Sequence, residues 1–106
     1  MTAEEFVKNC YKEKENMQKI YFDKETETYV GEQIKNIVSK GVSYEEVKEL
    51  IDSVMNETFY TMLLGLDGET TLGDVQMQYK LFDENDILIE GIESSAYDTF
   101  MSEEDK

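Results

Sequence analysis

A chain of 106 residues with 25 acidic side chains, ten lysines and no arginine carries a net charge of −15. That length supports one core rather than two, and that charge repels nucleic-acid phosphates and anionic lipid while steering basic proteins inward. Histidine, proline and tryptophan are absent and Cys10 is the only cysteine, which excludes the usual zinc sites, an internal disulfide and a histidine-assisted nucleophile.

The chain opens on a capping box. Thr2 can cap a helix while Glu5, three residues on, reaches back to the cap N–H. Phe6, Val7, Cys10, Tyr11, Met17, Ile20 and Tyr21 then recur at helical spacing, with Lys12, Glu13, Lys14, Glu15 and Asn16 as the expected solvated face. Cys10 reads as a packed thiol rather than a nucleophile. Residues 23–28 are polar and aperiodic, a loop. Val30, Ile34, Ile37 and Val38 place one apolar stripe on a second helix, which Gly41 is suited to end.

Ser43 and Glu46 form another capping box, and Val42 can staple onto Val47. The third helix should bury a stripe of Val47, Leu50, Ile51, Val54, Met55, Thr58 and Met62. Its far end, with Phe59, Tyr60, Leu63 and Leu64, has little polar face and must be buried or covered by a partner. Gly65 is the expected stop. Val75, Met77, Tyr79 and Leu81 alternate with Gln76, Gln78, Lys80 and Phe82, the two-residue period of a strand. After the turn Asp83-Glu84-Asn85-Asp86, Ile87-Leu88-Ile89 can return as its partner. Ser94 or Ser95 can start a last helix with Ala96, Tyr97, Phe100 and Met101 on its apolar side, and residues 102–106 read as a frayed tail. The expected fold is α+β: three N-terminal helices, a β-hairpin (about 75–89) packed on them and a short C-terminal helix, in one domain over 1–106.

Tested against that frame, most chemical motifs fail. The stretch from Ile34 to Ile51 has the outline of a helix-turn-helix, but residues 44–57 carry Glu45, Glu46, Glu49, Asp52 and Glu57 against Lys48 alone. Base readers need cations on phosphates, so no direct nucleic-acid contact is expected. Asp83 to Asp86 begins like a calcium loop, yet Ile87 and Leu88 stand where an oxygen ligand and a glycine belong. Asp67, Glu69 and Thr71 fail similarly at Leu72. No cofactor, metal or catalytic residue is expected, and the chain does not read as an enzyme. No apolar run approaches the roughly 18 residues of a membrane span, and the acidic start lacks a signal peptide's basic residues. The expected compartment is cytoplasmic.

The charge is unevenly spread. Residues 1–22 are neutral, 23–43 carry −1, 44–66 carry −4, 67–91 carry −6 and 92–106 carry −4. Glu45, Glu49, Asp52, Asn56 and Tyr60 share the side of the third helix opposite its apolar stripe. Acids around a tyrosine suit a clamp for a cationic site; the same pattern also describes the solvated side of an amphipathic helix. Asp83, Glu84 and Asp86 of the turn are the second candidate contact. Reversing Glu45, Glu49 and Asp52 to lysine is expected to spare the fold and abolish capture.

In size, acidity and lack of catalytic groups, the chain looks like small bacterial immunity proteins. That likeness implies an antitoxin-type inhibitor that occludes the cationic site of a basic protein, for example a nuclease toxin. Two other readings fit the same residues: a phage-type nucleic-acid mimic, and an adaptor subunit whose acidity serves only solubility.

Overall fold

The computed structural model describes residues 1–102. Its elements are α1 (Ala3–Phe22), α2 (Tyr29–Ser39), α3 (Tyr44–Leu66) and α4 (Ile92–Ala96), the last running into a π-helical turn (Tyr97–Met101). Thr2 and Glu5 form the full capping box at the start of α1. At α3, Ser43 accepts from the Glu46 amide. Gly41 follows α2 at φ 105° and donates to the Val38 carbonyl, using the left-handed backbone open to glycine.

Two expected helix boundaries move. Gly65 does not stop α3. It lies buried inside the helix, where a Cβ would stand 3.3 Å from Leu72 Cβ, so its missing side chain lets the following loop pack closely. The stop is Gly68 at φ 78°. The Glu69 amide donates to the Leu64 carbonyl and the Gly68 amide to that of Gly65, the double closure of a Schellman turn. The last helix begins at Ile92 rather than at a serine. Its first turn is capped from a distance, by the Asp67 carboxylate accepting from the Glu93 amide at 3.0 Å.

The expected hairpin is not there. Among the described residues no strand forms, only isolated antiparallel bridges at Asp67–Gln78, Leu72–Val75 and Phe82–Leu88. The protein is therefore helical rather than α+β. The physical reason lies in where residues 75–82 direct their backbone groups. The Tyr79 amide donates to Leu66 O on the end of α3, and Gly68 O accepts from Gln76 Nε2. Pairing with 87–89 shrinks to the amides of Asp83 and Ile89, which reach Ile87 O and Leu81 O. Val75, Met77 and Phe82 stay exposed. Alternation shows which side chains can share a face, not that a neighbouring strand exists to satisfy the ladder.

α1 and α3 run antiparallel, with Val7 near Leu63, Lys14 on Asn56, Gln18 on Asp52 and Phe22 against Tyr44. The core gathers at the N-terminal end of α1: Ala3, Val7, Leu63, Ile89, Ile92, Ala96 and Phe100. Ile92, Ala96 and Phe100 recur every four residues and are buried, each large one contributing about 1.5–3 kcal/mol by leaving water. Tyr11 meets Phe100 edge-on at 5.2 Å, and Phe59 stacks on the same ring at 6.2 Å. At the other end of the helix pair, α2 buries Ile34, and Val47 of α3 is buried as well. The molecule is elongated, 47 × 31 × 28 Å, with a radius of gyration of 16.3 Å against about 13 Å for a compact chain of 100 residues. Ser102 continues the terminal turn, donating to the Asp98 carbonyl. The rest of the expected frayed tail, 103–106, lies outside the described residues.

Candidate partner-binding surface

α3 is rotated about its axis relative to the sequence expectation. The face toward α1 carries Asp52, Asn56, Phe59 and Leu63, while Leu50 is 64% exposed, Val54 52% and Met62 48%. The rotation follows from α1. Lys14, assigned above to the solvated face, is buried at 3% exposure, as is Asn56 at 5%. Lys14 Nζ donates to Asn56 Oδ1 at 3.2 Å, pairs with Asp52 Oδ1 at 3.0 Å and stands 5.0 Å from the centre of the Tyr11 ring. Asn56 Nδ2 donates to the Phe100 carbonyl at 2.9 Å. A buried ammonium requires such partners, and only the polar side of α3 can supply them.

The proposed acidic clamp on α3 is thus divided. Glu45 and Glu49 are exposed. Asp52 is exposed but tied to Lys14 and to Gln18 Nε2 at 3.1 Å. Asn56 is buried and Tyr60 is half-buried against the core. In the 83–86 turn, Glu84 and Asp86 are exposed. Asp83 instead accepts from the amides of Asn85 and Ile87 and pairs with the Met1 amino group at 2.5 Å. The amino-terminal bond, then the Ile87 amide, holds the Asp83 carboxyl below its ordinary value, and the same contact raises the Met1 amine. Asp83 and Met1 sit at the end of the molecule where Leu63 packs. Glu45 lies eighteen residues earlier along α3, roughly 27 Å of helix rise. The two acidic candidates occupy opposite ends and cannot meet in one small cleft.

The rotation exposes much of the apolar stripe that periodicity assigns to the interior. A groove of about 350 Å³ lies between the three long helices, lined by Met17 and Tyr21 of α1, Val30 of α2, and Ile51, Val54 and Met55 of α3. A shallower depression continues along α3 past Val54 and Thr58 to Met62, with Glu57 on its wall. The stripe itself was legible. Its outward orientation follows from Lys14, whose position completes the inner series Val7, Tyr11, Lys14, Gln18, and so marks the polar side of α3 as the inner one.

Other features carry less. Cys10 is half-buried against the core, and burial pushes its thiol up, the behaviour of a packing group. The carboxylates of Asp67, Glu69 and Glu93 lie within 4.8 Å of one another on the surface, with Asp67 already occupied as the α4 cap. No described helix is long and apolar enough to cross a membrane. Comparison with protein-family models, curated proteins and solved structures yields no match to this chain.

Proposed function

We propose that this chain is a small acidic partner-binding protein of the immunity or antitoxin type, which neutralises a basic protein, for example a nuclease toxin, by occluding its cationic site. The observation that carries this reading is the state of the carboxylates. Among the described residues only Glu4, Asp52 and Asp83 pair with a cation, while Glu45, Glu49, Glu57, Glu84 and Asp86 are exposed. Surface charge left unneutralised across two-thirds of a chain creates a long-range negative field, which accelerates capture of a cationic partner.

The test uses the purified product of the adjacent gene. A basic, toxic product whose growth inhibition is relieved by this chain supports the reading, with affinity falling at least about tenfold as salt rises past a few hundred millimolar. An anionic product, or binding indifferent to salt, sinks it. Glu45→Lys with Glu49→Lys should slow association and leave the fold intact. Asp52→Lys does not belong in that set, because it would place a second cation beside the buried Lys14.

A further inference from the structure

We propose that the apolar groove between α1, α2 and α3 seats an amphipathic, cationic helix of the partner, apolar side inward and lysines or arginines along its flanks. This rests on the reading of the chain as a captor of basic proteins and assigns the contact surface.

Four observations fit that occupant. The lining carries no charged side chain: Met17, Tyr21, Val30, Ile51, Val54 and Met55 are joined only by Thr58 and Phe59. Two methionines give it an adaptable wall of the kind that accepts helices. Its length suits a helix, since the groove and its continuation run along α3 from Ile51 to Met62, about 16 Å or three turns. Its far edge on α3 is acidic: Glu57 lies three residues after Val54 and lines the adjoining depression. Neither lining includes a lysine, and Lys48, three residues before Ile51, lines a separate depression with Glu15 and Asp52.

The charge also argues against other occupants. A second copy would bring a whole chain of net charge −15 against the first, and anionic lipid would be repelled. A helix with basic flanks satisfies the apolar floor and the acidic edge together.

The probe is a fluorescent leucine–lysine peptide of about four turns, with leucines at i, i+4 and i+7. It is compared with a scramble of the same composition that spreads the leucines around the helix. The parent chain should bind the amphipathic peptide at least about tenfold more tightly than the scramble, and Val54→Asn with Met62→Asn should reduce it to the scramble's level. Both side chains are about half exposed, so the variant should keep the parent's circular dichroism. Methyl resonances of Val30, Ile51 and Met55 should shift on titration, a readout that needs no variant. Equal, salt-sensitive affinity for both peptides would overturn the groove and leave cation capture standing. No binding of either at low salt would overturn both. A parent dimer that the double substitution dissolves would make a second copy the occupant and overturn the proposal.

Discussion

Lys14 and Asn56 are the residues on which the orientation of the helices turns. Together with the Phe100 carbonyl they link α1, α3 and the terminal π-helical turn through two hydrogen bonds, Lys14 to Asn56 and Asn56 to Phe100. Removing either member takes a buried hydrogen bond from the other. Lys14→Met keeps the aliphatic stem but removes the bond that Lys14 Nζ donates to Asn56 Oδ1, and should cost about 1–3 kcal/mol. Asn56→Ala takes one partner from the buried ammonium, which keeps Asp52, and the donor from the Phe100 carbonyl, and should cost about 1–3 kcal/mol. The double variant should lose clearly less than the sum, as urea denaturation of the cycle will show; additive losses would mean the pair is not coupled. This contact was only half legible. The spacing places position 14 on the inner face of α1, but a lysine among exposed charges reads as solvated until its partners are known.

At the scale of elements, local chemistry was well expressed in the sequence and long-range pairing was not. The Thr2–Glu5 box, the Ser43 cap and the Gly41 exit all form, because each depends on groups within a few residues. The expected hairpin failed because residues 75–82 found the end of α3 before they found a strand. Gly68 holds that arrangement. A Cβ there would stand 3.1 Å from Gln78 Cα, at φ 78°, so Gly68→Ala should cost about 1–3 kcal/mol and speed hydrogen exchange at the Tyr79 amide. Asp83 ties the next segment to the amino terminus. Its depressed carboxyl pKa stabilises the fold above the ordinary value of about 3.9, and the effect is lost as pH falls through the folded value. The raised Met1 amine stabilises the fold below about 8, and that part is lost as pH climbs through its folded value. The gap in melting temperature between the parent and Asp83→Asn should therefore hold near neutrality and narrow in alkali; a gap constant to high pH would show that only the turn amides matter.

Across the whole molecule, the acid excess was evident from composition, whereas the face it accompanies was not. Periodicity locates a stripe and says nothing about which side a neighbouring helix will choose; here a buried ammonium decides it. The outcome is an elongated body carrying Leu50, Val54 and Met62 into solvent. At neutral pH a net charge of −15 opposes the association of such surfaces. Acidification toward the isoelectric point of about 4.2 removes that colloidal protection. Turbidity should rise there, and Leu50→Asn with Val54→Asn should delay its onset. The greasy ridge would thus set the window of acidity in which the protein can be stored, concentrated or crystallised.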